Sequence, residues 1–182
     1  MRRAMITPPV LAPAALGELK EWLAISTGGD DAALGALLRT ALETCEAFTG
    51  ALPLVALCEE VLPASSAWQA LATRPVQAVT WVEGIPAEGA RFAIPVADYA
   101  VELSADGGAM FRLVRQGAVG RVAVRFSAGL AADWDALPDG LRHGVLRLAA
   151  HHYRQRESDA SQLMPPAAVA ALWRPWRRMR VA

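Results

Sequence analysis

The sequence is poor in the residues that carry enzyme and metal chemistry. Its 182 residues include two cysteines, Cys45 and Cys58, and three histidines. The two thiols lack the spacing of a metal site and lie in apolar stretches, which is typical of reduced, buried cysteines in a cytosolic protein. Phosphate-binding loops, nucleophile elbows, zinc-protease motifs and dinucleotide-binding glycine motifs are all missing. We therefore predict a protein that is not an enzyme, with no catalytic residues, no metal and no cofactor.

The histidines themselves do not form a chelating group. His151 and His152 are adjacent, so on a helix they would point about 100° apart. His143 lies two helical turns before His151. We expect one of the three to pack in the core and the others to face solvent.

Long apolar runs are also absent. A membrane-spanning helix needs roughly 18 or more apolar residues in a row, and no such run occurs. Residues 1–3, Met-Arg-Arg, lead towards two prolines rather than the apolar core of a signal peptide. We expect no membrane partner. The 54% hydrophobic and 20% charged residues are the composition of a folded domain, and we expect Trp68 and Trp81 in its core.

Charge is distributed unevenly, although the formal net charge is zero. From Arg142 to the end there are eight arginines and two acids, a net charge of +6, so the first 141 residues carry −6. Such polarity suits head-to-tail association between copies. It also suits contact with nucleic acid.

The last ten residues, 173–182, which we call the C-terminal segment, hold four arginines, two tryptophans and no acid. Trp and Arg dominate the binding energy of many interfaces, and Pro175 ends any helix that enters the segment. We predict an extended or hooked arm that docks into a partner and can be deleted without unfolding the domain. The alternative is a disordered basic tail. The candidate docking residues are Trp173, Arg174, Trp176, Arg177, Arg178 and Arg180.

Hydrophobic periodicity predicts an α+β, mainly helical fold. Apolar residues at steps of three and four predict helices at 13–23, 31–49 and 138–157, with a last short helix at 167–173. Residues 52–127 change to a period of two and predict a small antiparallel β region. The N-terminal helices and the long C-terminal helix would surround this region, with extended arms at both termini. The domains are predicted as 1–164, the main domain, and 165–182, the short helix and docking arm.

The order of these elements resembles the head–tail connector, or adaptor, proteins of long-tailed phages and gene transfer agents. An aromatic-Thr-Gly sequence ends the second helix, and V-x-V-x-F-x-A-G follows at 122–129. No one motif is specific, so the resemblance depends on their shared order over about 170 residues. One departure is Gly84–Gly89, where the family has an Asp-Gly turn. The matching stretches are Leu16–Leu23, Asp30–Gly50, Arg74–Val82, Val122–Gly129, Leu137–Arg142, His151–Glu157 and Val169–Arg180.

This resemblance implies a structural protein that forms a ring, commonly of twelve subunits, beneath the portal at the capsid vertex. Double-stranded DNA would pass through the lumen, the C-terminal segment would embed in the portal protein, and a tail-completion (stopper) protein would bind the opposite side. The ring would lie at the head–tail junction of a virion or phage-like particle that assembles in the bacterial cytoplasm. The residues alone leave one alternative open, a nucleic-acid-binding protein that uses the Arg/Trp-rich C-terminus.

Overall fold

A computed structural model describes residues 3–115, 117, 119–155 and 165–177. These residues form eight strands, four α-helices and two short 3-10 turns, Val96–Asp98 and Arg174–Trp176. The helices are α1 (Pro13–Leu23), α2 (Asp31–Thr49), α3 (Asp139–Arg154) and α4 (Ala167–Trp173). The strands are β1 (Arg3–Thr7), β2 (Ala56–Pro63), β3 (Gln69–Ala70), β4 (Val76–Ile85), β5 (Phe92–Ala93), β6 (Tyr99–Leu103), β7 (Ala109–Leu113) and β8 (Arg121–Ala128).

The prediction of a mainly helical fold with a small β region is wrong. The structure is 36% helical and 29% strand over its described part, and the strands form two antiparallel sheets. Two causes explain the error. The strands β3 and β5 have two residues each, too few to show a period of two. The N-terminal residues, predicted as a free extended arm, instead form β1, which pairs with β2 from Arg3 opposite Glu60.

The chain divides into two compact units. The β unit comprises Met1–Pro9 and Val55–Gly129, and the helical unit comprises Val10–Leu54 and Leu130–Ala182. Helix α4 packs against α3 within the helical unit, and the boundary between residues 164 and 165 stays a prediction. A separate docking role for residues 165–182 stays a prediction.

The β unit contains both sheets, one of order β1-β2-β8-β4-β5 and one of order β3-β7-β6. Strand β8 is central, and Val122, Val124 and Phe126 on its inward face are fully buried. Gly84 lies inside β4 opposite Phe92, where a Cβ atom would come within 2.9 Å of the Phe92 ring. Strands β4 and β5 pair as a hairpin, and the loop between them, residues 86–91, is longer than an Asp-Gly turn. Trp68 and Trp81, expected in the core, are both exposed.

The helical unit is held together by the apolar stripes that the sequence predicts. Helices α1 and α2 span their predicted ranges, and α2 ends at Gly50, whose positive φ of 75° suits a residue without a Cβ. Helix α3 begins one residue after its predicted start, and residues 156–157 lie outside the described part. No helix in the described ranges combines the length and apolarity needed to cross a membrane. The fully buried core residues include Leu19, Leu34, Leu38, Ala41, Trp134, Leu141, Val145 and Trp173.

Candidate functional site

The described end of the chain, α4 and the 3-10 turn Arg174–Trp176, forms a hook, and its α4 packs against α3. Helix α4 starts after Pro166, whose carbonyl oxygen accepts hydrogen bonds from the N–H groups of Val169 and Ala170 at 2.9 Å. After Trp173 the chain tightens into a 3-10 turn with Pro175 in its first turn, where the missing N–H costs no hydrogen bond. Only at Arg177 does the backbone become extended, with φ −73° and ψ 123°.

Trp173 is a core residue in this structure and not part of an exposed surface. Its side chain is fully buried, and its indole Nε1 donates to the carbonyl oxygen of Leu141 at 3.3 Å. The indole fits above Gly144 of α3, where a Cβ atom would lie within 2.8 Å of two ring carbons. Phe48 of α2 contacts the other side, with the ring centroids 6.0 Å apart. Trp173 therefore fixes the end of α4 to α2 and α3.

The residues that follow Trp173 form an exposed cationic and aromatic surface. Arg174, Trp176 and Arg177 are all exposed, and the Arg177 guanidinium lies 5.3 Å from the centre of the Phe48 ring. Arg178 and Arg180 lie outside the described residues. Of the six predicted docking residues, the structure thus brings three together at the surface and buries Trp173. The docking role of these residues stays a prediction.

A second feature, which the sequence analysis missed, is a groove between α1, α3 and α4. It has a volume of about 250 Å³ and is open to solvent. Helix α3 contributes three side chains to it at steps of four and three, so that they share one face. The spacing of these three residues is visible in the sequence. The apolar walls that α1 and α4 contribute are not, because they depend on tertiary packing. The lining residues are Trp22, Arg147, His151, Arg154, Pro166, Ala168 and Val169.

The groove is cationic because its arginines lack carboxylate partners within residues 3–115, 117, 119–155 and 165–177. Arg142, on another face of α3, has ion pairs with Asp139 at 3.0 Å and Glu18 at 3.9 Å. Arg147 and Arg154 have no carboxylate within 4.0 Å among the described residues. The Nε2 atom of His151 is buried, and it too has no hydrogen-bond partner there.

The other two histidines do not line the groove and are not buried in the core. His143 is exposed and packs edge-on against Trp22, with ring centroids 5.2 Å apart. His152 is half-buried, and burial together with the neighbouring His151 lowers the pKa of its imidazole. The described residues contain no group of three His, Cys, Asp or Glu side chains placed to hold a metal ion. The arginines that have no carboxylate partner in the described ranges offer anion binding as the chemistry of the groove.

Comparison with known proteins gives full-length matches among solved structures. A chain in the neck of an empty gene transfer agent particle, solved with C6 symmetry, is 29% identical, with a TM-score of 0.80. A chain in the virion of a native gene transfer agent particle is 27% identical, with a TM-score of 0.79. A chain in the neck of a native particle, solved with C12 symmetry, is 28% identical, with a TM-score of 0.78. Each match covers 100% of this chain and 98% of the other.

No model of a protein family and no curated protein matches the chain. The three structures nevertheless confirm the resemblance predicted from the sequence, since they are neck and virion components of gene transfer agents. The likeness extends over the whole chain and includes both the β unit and the helical unit.

Proposed function

We propose that this chain is a structural neck protein, a head–tail adaptor of a gene transfer agent or a related phage-like particle. The observation that carries the proposal is the full-length match, at 27–29% identity, to chains in such particles. Those particles are described with C6 or C12 symmetry, so we infer that copies of this chain assemble into a closed ring. Twelve subunits is the number that the family resemblance favours. The role needs no catalysis.

The ring would attach beneath the portal protein through the C-terminal segment. Trp173 holds α4 in place from within the core, while Arg174, Trp176 and Arg177 face outwards. Large aromatic and guanidinium side chains in such a position are the usual anchors of an interface. The sequence prediction adds Arg178 and Arg180 to these docking residues. DNA would pass through the lumen, and a stopper protein would bind the opposite side of the ring.

The test is to mix the purified chain with the portal protein of the same particle and to image the product by electron microscopy. We expect ring-shaped density on the portal. Trp176→Ala should weaken binding by about 2 kcal/mol or more, the usual threshold for an interface hot spot, as measured by co-sedimentation. Arg39→Ala is the control, because Arg39 is an exposed arginine on α2.

The same material tests the nucleic-acid alternative. A nucleic-acid-binding protein would bind DNA as an isolated monomer, with affinity that falls steeply as salt is added. Stacking of bases on Trp173 would in addition require this fully buried ring to leave the core. If the isolated chain binds DNA in this way and shows no association with the portal, the adaptor proposal is wrong.

A further inference from the structure

We propose that the groove between α1, α3 and α4 is one half of the contact between neighbouring copies of this chain. It would receive a segment of the next copy that carries a carboxylate beside an apolar side chain. This inference rests on the proposed function, because a ring requires contacts between copies. Beyond the proposed function, it names the surface that makes this contact and the chemistry of the segment that binds there.

The cationic side of the groove calls for an anion. Arg147, His151 and Arg154 line one face of α3 and have no carboxylate partner in the described part of the chain. Exposed arginines are commonly just solvated, but a buried polar atom without a hydrogen bond is uncommon and costs free energy. The Nε2 atom of His151 is such an atom. A carboxylate entering the groove would pair with the two guanidinium groups, and it would accept a hydrogen bond from this nitrogen only once the His151 ring turns towards the groove.

The opposite walls favour a peptide over a phosphate backbone. Trp22 is 42% exposed although it belongs to the apolar stripe of α1, and Pro166 and Val169 complete an apolar surface. A nucleic-acid backbone offers no apolar group that would bury this surface. A volume of about 250 Å³ also suits one or two side chains better than a duplex.

Charge complementarity points to a second copy as the source. A closed ring built from one kind of subunit uses two different, matching surfaces on each copy. The part of the chain from Arg142 onwards, which supplies the three basic side chains of the groove, carries +6, and the remainder carries −6. Glu102 on β6 is exposed and has no ion pair among the described residues. Its carboxylate could supply the anion that the groove needs.

The experiment is photo-cross-linking within assembled rings. Chains that carry a benzophenone amino acid in place of Arg147 are prepared with ¹⁴N and with ¹⁵N, mixed, assembled on portal protein, irradiated and analysed by mass spectrometry. We expect cross-links between chains of different isotope label, to a peptide that contains an acidic residue. The same reagent at Arg39 gives the background. Cross-links only within one chain, only to the portal or to DNA, or no more than at Arg39, would overturn the inference.

A charge reversal gives a second measurement that does not depend on the cross-linker. Arg147→Glu combined with Arg154→Glu should weaken ring assembly on the portal at least tenfold, while circular dichroism shows an intact fold. Arg147→Lys with Arg154→Lys should retain most of the assembly. If the wild-type chain forms rings and the Glu variant forms them equally well, this inference fails and the proposed function stands. If the wild-type chain forms no ring on the portal, the proposed function itself fails.

Discussion

Two truncations that differ by one residue should separate folding from docking. Ending the chain after Leu172 removes Trp173, whereas ending it after Trp173 removes only residues 174–182. From the sequence alone, the whole C-terminal segment is predicted to be dispensable for folding. The full burial of Trp173 and its hydrogen bond to Leu141 revise that expectation, because the first truncation now opens a cavity beside Gly144.

The magnitudes differ enough to be measured. Loss of a buried Trp side chain costs about 3–5 kcal/mol, which is a large fraction of the roughly 5–15 kcal/mol that stabilises a typical domain. The longer truncated chain keeps Trp173 and loses exposed side chains. It loses the partly buried side chain of Trp176, which is 38% exposed, and the contact of Arg177 with the Phe48 ring, an interaction worth about 0.5–1 kcal/mol at an exposed site.

Urea unfolding followed by circular dichroism measures both free energies, and co-sedimentation with portal measures docking. The chain that ends at Trp173 should unfold near the wild-type midpoint and fail to bind portal. The chain that ends at Leu172 should be destabilised by about 3 kcal/mol or more, and Trp173→Ala in the full chain should behave like it in unfolding. Equal and small losses of stability in both truncations would show that Trp173 is not part of the core.

Three further outcomes follow from burial and charge. Leu38→Ala should cost about 2–5 kcal/mol in urea unfolding and Leu42→Ala clearly less, because Leu38 is fully buried and Leu42 only partly; equal costs would contradict this. Burial, with help from Glu46, raises the pKa of Cys45 to about 12, so mass spectrometry should find no alkylation of this thiol at about pH 8, near the usual pKa of a free thiol, until the chain is unfolded. Because the folded-state pKa of His152 lies below 6.5, the unfolded chain binds more protons in that range. Stability should therefore be fully present above pH 6.5 and fall as the pH drops further, and His152→Gln should flatten this slope in melting temperature.

The elements that the sequence predicts well are those whose pattern is long and local. Helix α2 has 19 residues, and apolar residues recur through it at steps of three and four, so one face could be assigned to the core without knowing what covers it. Strand β8 is predicted in the same way, because its apolar residues recur with a period of two. Strand β1 carries no such pattern, since four of its five residues are exposed. It is a strand because β2 offers it hydrogen bonds, and this depends on residues far along the chain, such as Glu60 opposite Arg3.

The docking site is harder to predict from the sequence, because composition indicates the region but not the role of each residue in it. A Trp followed by Arg and Pro has the character of an exposed interface residue, and nothing local distinguishes Trp173 from Trp176. The difference lies in Gly144, well before them in the chain, which leaves a slot on α3 that an indole can enter. A glycine within a helix costs about 1 kcal/mol relative to alanine. Its presence in α3 makes sense once the indole above it is known.

The same packing links the two surfaces of the helical unit. Trp173 holds α4 against α3, and Pro166 and Val169, at the start of α4, form part of the wall of the groove. A change that dislodges Trp173 would therefore disturb the exposed hook and the groove together, and loss of assembly in such a variant could not be assigned to either. Variants at Trp176 and Arg147 avoid this difficulty, because both side chains are exposed and neither belongs to the core. Portal docking and contact between copies are best separated by these two positions.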